Sequence, residues 1–110
     1  MAENKAPGQY LYITTRGRKS GQPREIEIWF TQHEGRYYII AEYPTSHWVQ
    51  NIRANPEVQV RVEQRTFPAT ARVLSSETDK DLYRAIQELS STKYGWGAGL
   101  VVELSPVPST

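Results

Sequence analysis

Apolar and polar residues alternate with a period of two over several stretches of the chain, the pattern of half-buried β-strands. From Gln9 to Thr15, Leu11 and Ile13 fall on one face and Tyr10, Tyr12 and Thr14 on the other. The alternation returns from Arg24 to Thr31, where Ile26, Ile28 and Phe30 oppose Glu25, Glu27 and Trp29. His33-Glu34-Gly35 reads as a turn, with Gly35 suited to positive φ. Tyr37 to Ala41 is a near-continuous apolar run, as expected of a central strand. Glu57 to Glu63 turns Val58, Val60 and Val62 inward, and Gly99 to Leu104 makes a last short strand. Thr66 to Leu74 is a further strand, in which Pro68 implies an edge or a bulge.

The period lengthens in two places. Trp48, Val49 and Ile52 form the stripe of a short helix, opened by Pro44-Thr45-Ser46 with Thr45 or Ser46 as cap and stopped by Asn55-Pro56. Leu82, Ala85, Ile86 and Leu89 form the stripe of a second helix. Its expected cap is Thr78, with Asp81 in the capping-box position and Gly95 as the C-terminal stop. Six short strands and two helices, in one domain over residues 1–110, predict a small closed or half-closed barrel whose ends or gaps the helices plug. Residues 1–8 and 105–110 carry no such pattern and are expected to be flexible ends.

With 110 residues the chain can enclose one core, and its apolar fraction of 38% makes that core modest. The absence of cysteine removes disulfides, thiolate metal ligands and thiol nucleophiles, and it suits a cytoplasmic setting. MAENKAPGQ lacks the apolar segment of a signal peptide. No run approaches the ~18 apolar residues of a membrane span. Two histidines with no carboxylate at HExxH-like spacing argue against a metal centre.

Net charge is only +1, so a local cluster of cations is informative. TTRGRKSGQPR, residues 14–24, holds Arg16, Arg18, Lys19 and Arg24 around Gly17, Ser20 and Gly21. A turn that binds an anion needs backbone N–H groups that approach closely, a neutral hydroxyl donor and cations at the rim. Gly17, Ser20 and Gly21 suit the first tasks, and Arg18, Lys19 and Arg24 the last. The plainer alternative is a solvated hairpin tip. The near-neutral overall balance favours an anion site for a phosphate or several carboxylates. The GxxxxGK[ST] spacing is absent and no helical pattern follows, so a P-loop is ruled out.

In HWVQN, residues 47–51, His47 and Asn51 share one helix face beside Trp48. Taken alone, a core tryptophan with a solvated polar pair explains this segment better than a wall for a flat ring. In KYGWG, residues 93–97, Tyr94 and Trp96 either close the barrel mouth or line a pocket. Tyr10, Tyr12 and Trp29 lie opposite the core set. An aromatic cleft beside a cationic loop fits a flat ring with an anionic tail, a single-stranded RNA groove or a dimer interface. No nucleophile elbow, Ser-His-Asp order or paired carboxylates accompany it. That lack suits a cofactor that carries the chemistry itself.

Taken together, ITTRGRKSGQPREIEIWF, YYIIAEY and HWVQNIRANPEVQVRV resemble the deazaflavin-dependent nitroreductase family, split β-barrels related to the flavin-binding pyridoxamine phosphate oxidase fold. The likeness runs from about Tyr10 to Val73, and KYGW and VVEL extend it. Its most specific parts are the GRKSGxxR loop and the W-x-x-N-x-x-A-N-P helix. The resemblance implies a mainly β, six-stranded split barrel of the FMN-binding type with two short helices. It implies coenzyme F420, a deazaflavin with a phosphate and an oligoglutamate tail. Arg18, Lys19, Ser20 and Arg24, with Gly21 in the same turn, would grip that tail; Ala41, Glu42, Trp48 and Asn51 would sit near the ring. The implied activity is hydride transfer to a quinone, nitro compound or activated alkene. No residue is fixed as catalytic, although Tyr43 and Tyr94 are candidate proton sources. A homodimer acting on a small molecule, without nucleic acid or membrane span, is the implied assembly.

Three features depart from the family pattern. Glu25 to Phe30 replaces a proline and leucine beyond the loop arginine, EYPTS replaces a glycine-rich stretch, and only about eight residues precede the first strand. They leave FMN as the alternative cofactor and a non-catalytic flavin or small-ligand carrier as the alternative role.

Overall fold

The computed structural model describes residues 9–108. Residues 1–8, 109 and 110, expected to belong to flexible ends, lie outside the described residues. Along the chain come β1 (Tyr10–Arg16), β2 (Pro23–Trp29), β3 (Thr31–His33), β4 (Arg36–Ala41) and α1 (His47–Ala54). There follow β5 (Glu57–Val62), β6 (Arg65–Val73), α2 (Lys80–Tyr94) and β7 (Leu100–Pro106). The strands form one antiparallel sheet in the order β2-β1-β5-β6-β7-β4-β3.

The two ends of that order, β2 and β3, are separated in sequence by Phe30 alone. The sheet curls until its edges meet at this residue, which makes a split barrel. The segment Arg24–Thr31, expected as one strand, is therefore two: β2 pairs with β1, and β3 with β4. The strand count rises from six to seven. The alternation hides the corner because Phe30 is buried on the same side as the inward members of β2. His33 and Arg36 close a two-residue turn in which Glu34 (φ 52°) and Gly35 (φ 80°) both take positive φ, as a tight hairpin of this kind requires.

Leu11, Ile13, Ile39, Val60, Val102 and Leu104 fill the barrel. Each such side chain contributes about 1.5–3 kcal/mol on burial. The other face of β4 and β7 presents Tyr38, Ile40 and Val101 to Ile86 of α2. Val49 and Ile52 anchor α1. Pro68 lies inside β6, where its carbonyl accepts from Val107 N beyond the end of β7. The side on which it lacks a donor is thus the side on which the neighbouring strand has run out.

The helix starts differ from expectation. Ser46 is the N-cap of α1, but its hydroxyl donates back to the Tyr43 carbonyl (2.7 Å) and leaves the first turn uncapped by a side chain. The N-cap of α2 is Asp79, not Thr78, and its carboxylate accepts from Ser75 N (2.9 Å). Gly95 ends α2 in the left-handed conformation, as the pattern predicts. The last strand extends past Leu104 into the tail expected to fray: Ser105 pairs with Thr70 and Pro106 with Ala69. Among the described residues no helix is long and apolar enough to cross a membrane.

Candidate functional site

The loop between β1 and β2 is held by its own backbone. Gly17 N donates to Gln22 O and Gly21 N to Gly17 O, each at 2.8 Å. Gly21 has φ +71°, a conformation that favours glycine. A Cβ on Gly17 would lie 2.7 Å from Ser20 Oγ, so the turn packs against that position. Ser20 Oγ accepts from Gln22 N (3.1 Å), which leaves its own proton free to donate outward. Arg16 turns inward to its own loop and donates to Gly21 O (2.8 Å).

Helix α1 braces this loop across 33 positions of sequence. Asn51, buried to 4% exposure, accepts through Oδ1 from Arg18 Nη1 (2.9 Å) and Arg18 N (3.3 Å). Its Nδ2 donates to Thr15 Oγ1 (3.2 Å). His47 Nδ1 lies 3.5 Å from Arg18 Nη2. The two polar motifs of the sequence therefore form one unit. Asn51 is the pivot that aims the Arg18 guanidinium, and the reading of it as a solvated polar residue does not hold.

A cleft of about 770 Å³ opens here, lined by Gly17, Arg18, Lys19, Ser20, Arg24 and Asn51, with Ile26, Ser46, His47 and Trp48. Among the described residues, none of Arg18, Lys19 and Arg24 is paired with a carboxylate. Gly21 shapes the turn but is not on the cleft wall.

A second cleft, of about 560 Å³, adjoins the first and shares Ile26, Ser46 and Trp48 with it. Its walls carry Ala41, Glu42 and Tyr43 at one side, and Trp29, Tyr94 and Trp96 at another. Trp29 and Tyr94 stack with centroids 4.6 Å apart and planes 2° from parallel. Of the three aromatic residues expected opposite the core, only Trp29 reaches this cleft. Tyr12 instead bonds Glu27 and lies under Arg61.

The Tyr94 hydroxyl is occupied by the backbone. It accepts from Phe30 N (3.2 Å) and donates its single proton to Gln9 O (2.6 Å) or to the nearby Phe30 O. Burial pushes its pKa above the usual tyrosine value, and the Phe30 hydrogen bond opposes this. Lys93 Nζ also donates to Phe30 O (2.9 Å), and partial burial lowers its pKa. Deeper in the wall, Tyr38 donates to Glu103 (2.9 Å). Burial, then the hydrogen bond and charge of Glu103, push Tyr38 up to about 12.

Phe30, Thr31, Tyr38 and Ser90 also line the second cleft, and no motif in the sequence points to them. Phe30 and Tyr38 read as ordinary core residues, and Thr31 and Ser90 belong to no motif.

A curled antiparallel sheet with a basic turn and an aromatic cleft at one flank is the architecture of the flavin-binding split barrels. Within that class, the chain belongs to the F420H(2)-dependent quinone reductase family, whose pattern it matches over residues 3–100. It is 31% identical over 96 residues to the F420H(2)-dependent quinone reductase of Mycobacterium tuberculosis, covering 81% of this chain. The chain spans 63% of the length of that relative. It is similar to the structure of an F420-H2 dependent reductase, FDR-A, with a TM-score of 0.67, 24% identity, and coverage of 94% of this chain and 100% of that one. It also resembles a structure described as a domain-swapped dimer, with a TM-score of 0.67, 25% identity, and coverage of 90% and 81%.

Proposed function

We propose that this chain binds coenzyme F420 and serves as an oxidoreductase that reduces a quinone. The observation that carries the reading is the junction at Ile26, Ser46 and Trp48, where a cleft rimmed by unpaired cations runs into a cleft walled by aromatic rings. The family membership supports the same ligand. The residues present fit a flat ring with an anionic tail, because the two clefts offer charge at one end and apolar, planar surface at the other.

Arg18, Lys19, Ser20 and Arg24 hold the tail, with Gly21 shaping the turn and Asn51 fixing Arg18. Ala41, Glu42 and Trp48 flank the ring. Bound reduced F420 supplies a hydride to the quinone. The protein positions the two partners and keeps water from between them. Tyr94 is a poor proton source, since its hydroxyl is bound to backbone and its acidity is lowered. Tyr43, 63% exposed at the cleft mouth, is the better placed tyrosine. Exposure of Tyr43 and of Trp29 at that mouth, with the likeness to a domain-swapped dimer, supports a homodimer that covers it. The setting we propose is the cytoplasm.

The test is a fluorescence titration of the purified protein with F420 and with FMN, side by side. Saturable binding of F420 in preference to FMN is the expected result. Preference for FMN would replace the cofactor, and binding of neither would overturn the reading.

A further inference from the structure

One buried hydroxyl beside the aromatic cleft has no partner among the described residues. Thr31 is 6% exposed and lies on the cleft wall, and its Oγ1 is the buried side-chain oxygen that lacks a partner among the described residues. The other buried or half-buried hydroxyls of the wall are bound, and that of Tyr43 stands exposed at the mouth, where water can satisfy it. Tyr38 is bound to Glu103, Ser90 Oγ donates to Trp96 O (2.6 Å), Ser46 donates to Tyr43 O, and Tyr94 holds the corner at Phe30. A buried hydroxyl without a partner destabilises a fold, so one at the wall of a ligand-sized cleft calls for an explanation. Oγ1 is enclosed in this rotamer; a χ1 step of about 120° can carry it to the place now held by the methyl, which moves to that of the Cβ hydrogen, with no backbone change.

The position of Thr31 says which ligand it serves. Arg24 lies near the start of β2, and Thr31 opens β3 just past the corner at Phe30. The run of β2 from Arg24 to Trp29, at roughly 3.3 Å per residue, puts them on the order of 15 Å apart. Arg24 belongs to the basic cleft and not to the aromatic one, and Thr31 to the aromatic cleft and not to the basic one. The end of the trough at Thr31 is therefore the end away from the anionic tail. Around it stand Phe30, Tyr38, Ile40 and Trp96, an apolar and largely aromatic lining.

We propose that Thr31 is a specificity-determining residue of the substrate end of the cleft, donating a hydrogen bond to the carbonyl oxygen of a flat quinone. This inference rests on the function proposed above. It adds that the acceptor is a planar ring carrying an oxygen that can receive a proton donor, and that hydrocarbon rings of the same shape lack the feature being read.

The test uses 2-methyl-1,4-naphthoquinone and its carbonyl-free counterpart 2-methylnaphthalene as probes. Each is titrated into the whole protein and read by tryptophan fluorescence. Thr31→Val keeps the shape and removes the hydroxyl; Thr31→Ser keeps the hydroxyl. The expected result is a roughly five- to tenfold weaker quinone Kd in Thr31→Val, near-wild-type affinity in Thr31→Ser, and no change for the hydrocarbon. The melting temperature of Thr31→Val should equal or exceed that of the wild type, since an unsatisfied buried hydroxyl has been removed. Equal quinone affinity in wild type and Thr31→Val would overturn the inference. So would parallel losses for quinone and hydrocarbon, which would show a role in shape alone, and so would failure of the wild type to bind the quinone. F420 titration of the same variants separates the two readings. Normal F420 binding with a failed quinone arm removes the Thr31 assignment alone, whereas loss of F420 binding by the wild type removes the cofactor reading.

Discussion

The two clefts share Ile26, Ser46 and Trp48, yet their walls are held in different ways. The basic cleft has a rim of side chains that the fold does not use. Lys19 and Arg24 are exposed and without ion-pair partners among the described residues, and only Arg18 is tied down, through Asn51. The aromatic cleft is made from the residues that close the barrel. Trp29, Phe30 and Thr31 are the corner between β2 and β3, and Tyr94 fastens that corner with its hydroxyl. The loop cations should accordingly be removable without loss of stability, whereas the groups that fasten the corner at the second cleft should not.

The sharpest test of that separation is the pair Lys19→Ala with Arg24→Ala. We expect F420 binding to weaken by about 2 kcal/mol, roughly 30-fold, for two lost charge-assisted contacts at a solvated rim. The denaturant midpoint should stay where it was. Raising the salt concentration should weaken F420 binding in the wild type and hardly affect it in the double variant, because the exposed cations are screened. A shifted midpoint with unchanged F420 affinity would reverse the comparison.

At the aromatic cleft the opposite response is expected. Tyr94→Phe keeps the ring stacked on Trp29 and removes the hydroxyl that ties Phe30 N and Gln9 O together, while Phe30 N keeps Gln9 O as an acceptor at 3.3 Å. Stability should fall by about 0.5–1.5 kcal/mol in urea, the net worth of a lost hydrogen bond. F420 affinity should change less than in the loop variant.

The smallest effect is a pH dependence confined to the wall. Tyr38 has its pKa raised from 10.0 to about 12, so the folded state favours the protonated phenol. Its contribution to stability is fully present below pH 10 and is lost as pH rises towards 12, because the unfolded chain releases that proton first. Tyr38→Phe should flatten that part of the stability curve. An unchanged slope in the variant would assign the alkaline loss to other tyrosines.

Much of the basic cleft was legible in the sequence because its signals are local. Gly17, Ser20 and Gly21 mark a turn, and the cations stand out against a net charge of +1. The bond from Arg18 to Asn51 was not legible from spacing, since nothing within either motif says that the two meet across 33 positions. The corner at Phe30 escaped because alternation continues through it: a change of pairing partner leaves no mark when the inward face stays apolar. The α2 cap falls at Asp79 rather than Thr78, and Ser46, an expected cap of α1, makes no side-chain bond to its first turn, for a related reason. Ser46 and Asp79 each had a competing backbone partner nearby, which propensity alone does not weigh. Thr31 carries no signal at all, because a threonine at a strand start is ordinary until its neighbours are known.

One feature of the sheet bears on how the chain is made. The strand that follows all the others in the sequence, β7, sits between β6 and β4, with one strand, β3, beyond β4 and three, β5, β1 and β2, beyond β6. Without β7, the earlier strands make two ribbons, β2-β1-β5-β6 and β4-β3, joined by the chain at the corner at Phe30 and through α1. The ribosome must therefore release residues 100–106 before the barrel can close, and the nascent chain waits with two unpaired strand edges facing each other. Such edges invite pairing with another chain. The interval between translation of β6 and release of β7 is when an exchange of β7 between two copies would meet the least resistance.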